Sequence, residues 1–113
     1  MLKRAISPGD VKEIRKVPME TLDNLMPQMD LGNTILKIDT EGYELHVLRG
    51  ANILLKKCKY VICETNVRKR YKDSYTFEEM IMFMVKSKFK VRAIVHAPKS
   101  LNCIDILFER VSK

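Results

Sequence analysis

The stretch that most constrains this chain runs from Thr34 to Gly50. It opens as Thr34-Ile35-Leu36-Lys37-Ile38-Asp39, passes through Thr40-Glu41-Gly42, and closes as Tyr43-Glu44-Leu45-His46-Val47-Leu48-Arg49-Gly50. The first part is apolar and β-branched, as a buried strand is, and the last spaces Leu45 and Leu48 as on one side of a helix. Two acids and a glycine stand at the handover. In open α/β sheets ligands bind beyond the carboxyl ends of strands. Asp39 and Glu41 are therefore candidate catalytic groups, able to orient or deprotonate a hydroxyl. Glu41 has a competing use, to charge the start of the following helix, where acids are favourable. Gly42 supplies the tight turn.

Around this unit the chain alternates strands and helices. Residues 1–10 read as a loose lead-in, with Ser7-Pro8-Gly9-Asp10 giving turn chemistry. Val11 to Val17 reads as a strand from its β-branched content, and Pro18 ends it. Thr21 caps a short helix to Met26, with Leu22, Leu25 and Met26 inward, and Pro27 and Gly32 close it. Beyond Gly50, Ala51 to Leu55 continue as a further short helix, with Lys56, Lys57 and Lys59 where positive charge complements a helix C-terminus. Tyr60-Val61-Ile62-Cys63-Glu64 is a second strand, again ending in an acid.

After a basic loop, Thr76 and Glu79 form a capping box. The helix it opens runs to about Lys88, with Phe77, Met80, Ile81, Met84 and Val85 on one face. Met82 and Phe83 extend that apolar surface, so the helix is either unusually buried or lacks a neighbour. Lys90 to Val95 and Cys103 to Glu109 then form an antiparallel hairpin across a short loop. The alternation predicts an α/β fold of parallel strands with right-handed crossovers, the final strand turning back antiparallel.

With 113 residues, 46% of them apolar and 31% charged, the chain reads as a single domain with a core of its own. The net charge of +7 allows an acidic partner, although a lysine-rich solvated surface is the favoured account of it. Cys58, Cys63 and Cys103 are odd in number and form no CxxC pair, which argues against a disulfide framework and a zinc site. A cytoplasmic setting is the expectation. The N-terminal residues hold no apolar segment of a secretory signal. No run of about 18 apolar residues suggests a membrane helix.

From Leu36 to Ala51 the chain resembles FkbM-type methyltransferases, whose signature there is "LKIDVEGxExxVLxGA". Thr21-Leu22-Asp23-Asn24-Leu25 is similar to the family's "TLDxL", and Tyr60 to Glu64 to its strand ending in glutamate. Thr40 in place of the usual valine is the departure within the core signature. The resemblance implies the Rossmann-like sheet of S-adenosylmethionine-dependent methyltransferases, with Thr34–Asp39 as the fourth strand, Tyr60–Glu64 as the fifth and the hairpin as the sixth and seventh. It implies O-methylation of a hydroxyl on a small metabolite or glycan, with S-adenosylmethionine as cofactor. The family's glycine-rich loop has no counterpart among Gly9, Gly32, Gly42 and Gly50, so no cofactor-binding residue can be named. Residues 1–113 thus resemble the C-terminal half of such an enzyme, a partial sheet without its first strands and with an incomplete cofactor site. Thr34–Asp39 becomes an edge strand that invites a pairing partner, unless residues 11–17 cover it.

Glu64, Arg68, Arg70 and His96 are candidates for the substrate side. Glu44 reads as a first-turn helix acid and His46 as a surface residue. Oxygen ligands such as Asp39, Glu41 and Glu64 suit Mg²⁺ or Ca²⁺, but no recognised loop spacing is present and no metal is expected. The basic loop, with Tyr71 and Tyr75 available for stacking, suits a phosphorylated or nucleic acid substrate, though a solvated loop is favoured and nucleic acid is disfavoured. The alternative to an enzyme is a non-catalytic basic α/β module that binds a protein partner or nucleic acid through its open edge.

Overall fold

A computed structural model describes residues 13–26, 34–69 and 71–111. In chain order the elements are α1 (Leu22–Leu25), β1 (Thr34–Ile38), α2 (Glu44–Arg49), α3 (Asn52–Lys57), β2 (Cys58–Asn66), α4 (Phe77–Lys86), β3 (Phe89–His96) and β4 (Cys103–Arg110). The four strands form one sheet in the order β1-β2-β4-β3. β1 and β2 are parallel, with α2 and α3 between them in sequence. β4 is antiparallel to both its neighbours, so it sits between β2 and β3 and closes the hairpin with the latter.

The strand expected at residues 11–17 does not form across the described part. Residues 13–20 are neither helix nor strand, and Ile14 and Val17 are 87% and 75% exposed. A β-branched run becomes a strand by packing against neighbours, and nothing buries these side chains. Val11 and Lys12 lie outside the described residues, as do the lead-in 1–10 and both Pro27 and Gly32. Among the described residues β1 therefore pairs with β2 alone.

Alternation along the strands separates two faces. Register sets Ile38 beside Cys63 and Cys63 beside Ile106, and Val61 beside Phe108. These residues are buried with Leu45 and Leu48 of α2, Leu54 and Leu55 of α3, and Met80 and Met84 of α4, and together they make the core. Burying each such side chain stabilises the fold by ~1.5–3 kcal/mol. On the opposite face Ile62, Glu64, Asp105 and Leu107 are only half-buried. The long apolar helix α4 proves to lack a neighbour on one flank, where Met82 and Val85 are each 58% exposed.

The Thr21–Leu25 segment is tied to the turn after α2. Thr21 caps α1 by accepting from the Asn24 backbone N–H at 3.1 Å. Ala51, at the cap of α3, has no side-chain acceptor. The Asp23 carboxylate replaces it by accepting from the backbone N–H groups of Ile53 and Leu54 at 3.0 and 2.9 Å. Gly50 allows a close approach here, since a Cβ there would meet Thr21 Cγ2 at 3.0 Å. Arg110 holds the other end of α3, donating to the Leu55 and Cys58 carbonyls and lying 4.6 Å from the centre of the Phe89 ring.

Candidate functional site

β1 ends at Ile38, which is paired with Cys63, so the next residue, Asp39, emerges beside Glu64. Glu64 is the cross-strand partner of Asp105, and Asp105 of His96. Directly opposed residues share a sheet face. Asp39, Glu64, Asp105 and His96 therefore form one row of ionisable groups across the sheet, at the carboxyl ends of β1, β2 and β3.

The turn after β1 brings a further acid to this row. Glu41 adopts φ +55° and Gly42 φ +102°, a left-handed pair that reverses the chain within two residues. Gly42 is required on steric grounds as well, since a Cβ there would lie 2.9 Å from Cε1 of the Tyr71 ring.

Glu44 fixes this geometry from below. It is fully buried, and its Oε2 accepts from the Thr40 N–H at 2.7 Å, the Thr40 hydroxyl at 3.0 Å and the Gly42 N–H at 3.1 Å. Its Oε1 accepts from the Tyr75 hydroxyl at 2.6 Å. The Tyr75 oxygen accepts in turn from the Asn66 N–H at 3.2 Å. Burial first, then the bond to Glu44, holds the Tyr75 phenol far above the ordinary tyrosine range, so it remains a donor. One buried carboxylate thus ties the β1–α2 turn to the end of β2 and to the segment before α4.

Above this anchor, carboxylate oxygens of Asp39, Glu41 and Glu64 all lie within 4.8 Å of one another. Burial raises the Glu64 carboxyl above its usual range. The neighbouring Asp39, which adds both its charge and a hydrogen bond, raises it further, with Glu41 and Asp105 contributing less. A cavity of about 550 Å³ opens here, and Glu41, Glu64, Asn66, Arg68 and Lys69 line it together with the β3–β4 loop residues Ser100 and Asn102. Burial pushes the nearby Cys63 thiol up to about 12, which removes it as a nucleophile.

The structure thus brings together Asp39, Glu41, Glu64 and Arg68. His96 is exposed and joins them only through Asp105, while Arg70 lies outside the described residues. His46 is exposed and stacks on Tyr43 with ring centroids 4.5 Å apart. Tyr75 is 3% exposed, so it offers no stacking surface to a nucleic acid base. Glu44 is the first-turn acid of α2, as expected, and it is also a buried anchor. Sequence patterning also passes over Asp105, although its place between Ile104 and Ile106 in an alternating strand puts it on the face opposite the core.

The model of the methyltransferase FkbM domain matches residues 1–91. The chain belongs to this family. No curated protein and no solved structure matches it. The FkbM match takes in the β1–α2 turn and the acids Asp39, Glu41 and Glu64, whereas Asp105 and His96 lie beyond it. Methyltransferase membership therefore rests on the part of the chain that carries the acidic cluster. No helix among the described residues is long and apolar enough to cross a membrane.

Proposed function

We propose that this chain forms the acceptor side of an S-adenosylmethionine-dependent O-methyltransferase that acts on a hydroxyl of a small metabolite or glycan. The observation that carries the reading is the meeting of Asp39, Glu41 and Glu64 at the ends of two parallel strands, in a chain of the FkbM family. The topology supports it: β1 and β2 are parallel neighbours, as a fourth and a fifth strand would be, and the hairpin supplies one antiparallel strand. The acceptor hydroxyl lies against the cluster, and Asp39 or Glu41 orients it and takes its proton. Fixing that oxygen in line for attack is the larger part of what such a reaction asks of a protein. Arg68 and Lys69, on the same cavity wall, suit an acceptor that carries an anionic group.

The described residues do not fit the methionine end of the cofactor. A glycine cradle leaves the space of its missing Cβ to the ligand, but at Gly42 that space is filled by Tyr71 and at Gly50 by Thr21. On this proposal the cofactor is held from the side of β1 away from β2, where no described strand pairs. Titration calorimetry of the chain with S-adenosylmethionine tests this division. No saturable heat is expected at micromolar cofactor, and a micromolar affinity would overturn it.

A further inference from the structure

An orienting base needs one carboxylate, or two if they share a proton, whereas three converge here. Their oxygens lie within 4.8 Å of one another, and Asp105 stands next in the row. Like charges so close repel, which is why Asp39, Glu41 and Asp105 all act to raise Glu64.

A second observation, independent of the acids, points to a ligand in the same place. Asn66 is fully buried and lines the cavity together with Glu41 and Glu64. It stands two residues after Glu64 on β2, so both face the same side of the sheet. Its Nδ2 donates to the Ser74 hydroxyl at 3.3 Å, but its Oδ1 has no partner among the described residues. Buried amide oxygens are almost always satisfied, so an unmatched acceptor on a residue that shares the cavity wall with Glu41 and Glu64 marks a place for a cation or for a water bound to one.

The donor set selects the ion. Carboxylate and amide oxygens are hard ligands that suit Ca²⁺ and its like, at about 2.3–2.6 Å from the ion. Oxygens bound to one such ion are at most about 4.6–5.2 Å apart, and the three carboxylate oxygens, all within 4.8 Å of one another, meet that limit. Mg²⁺, which demands near-ideal octahedral geometry and gives up its waters reluctantly, suits such an open cluster less well. We propose that Asp39, Glu41 and Glu64, with the side-chain oxygen of Asn66, form a binding site for a hard divalent cation of calcium's size. Binding needs neither cofactor nor acceptor. Only its use, polarising the acceptor hydroxyl, rests on the function proposed above. Arg68 and Lys69 line the same cavity and oppose the ion, so a weak site is expected.

Calorimetric titration of the chelator-treated chain with CaCl₂ tests the site in the absence of S-adenosylmethionine, and so independently of the methyl-transfer reading. One saturable site per chain is expected, with a Kd no weaker than ~1 mM. Asp39→Asn and Glu64→Gln, at exposed and half-exposed positions, should each weaken it roughly tenfold or more, because affinity follows the ligand charge count. Absence of saturable binding to the unaltered chain, or binding that neither substitution changes, would overturn the site.

Discussion

Replacing Tyr75 with phenylalanine isolates the anchor beneath the acids. The ring is 3% exposed and stays in place, so the change removes a hydroxyl and little else. Glu44 loses the shortest of its four hydrogen bonds, at 2.6 Å. A bond to a charged group contributes about 1.5–3 kcal/mol. The Asn66 N–H loses its acceptor at 3.2 Å, and an unpaired buried amide costs about 1–3 kcal/mol. Both losses come from one hydroxyl and are not independent; a net cost of about 3 kcal/mol is expected. For a domain whose total stability is ~5–15 kcal/mol, this is a large share, equivalent to a fall in Tm of about 13 °C. Urea unfolding of both proteins, followed by circular dichroism, measures it as a shift in midpoint at constant slope. A loss below ~1 kcal/mol would refute the claim that Tyr75 and Glu44 hold the turn.

Two more outcomes follow from local geometry. Gly42→Ala should destabilise by roughly 1–3 kcal/mol in the same assay, since φ +102° is strained for any side chain; adding Tyr71→Ala should recover only the part due to the 2.9 Å contact. In the α4 capping box, hydrogen bonds from the Thr76 backbone and then its side chain hold Glu79 below the ordinary carboxylate range. A depressed folded pKa stabilises above the unfolded value of 4.5 and is lost as pH falls through the folded one. Glu79→Gln should therefore lower Tm at pH 7 and match the parent in strong acid, and a gap that widened on acidification would contradict the cap.

Much of the fold is legible in the sequence because local pattern and local structure agree. The apolar run Ile35–Ile38, the capping box at Thr76 and Glu79 and the final hairpin all appear within a few residues of their expected places. What escapes reading depends on partners far away in the chain. Val11–Val17 has the composition of a strand but nothing to pair with in its described part. Glu44 looks like any acid at a helix start, and only Tyr75, which folds back from before α4, makes it an interior anchor. The acids are separately visible at the ends of strands. Their convergence is not, because it follows from the register of β1 on β2, which sets Asp39 against Glu64. Asp105 joins them only because β4 inserts beside β2, an arrangement that local pattern does not specify.

That insertion also sets a timetable. Of the described strands β4 is the last in chain order, and so leaves the ribosome after the others, yet it is the one that joins β2 to β3. Until Cys103–Arg110 has emerged, β2 and β3 have nothing between them, and β2 carries Glu64 and Asn66 with its β4 side open. The nascent chain can form the β1–β2 pair with its helices and the three acids at its end, but the complete row with Asp105, and the cavity wall of Ser100 and Asn102, appear only when β4 slides in. Between those moments the β2 edge is open to neighbouring chains. Completion of the site thus waits on β4, a segment that contributes one acid to the row and joins two strands made before it.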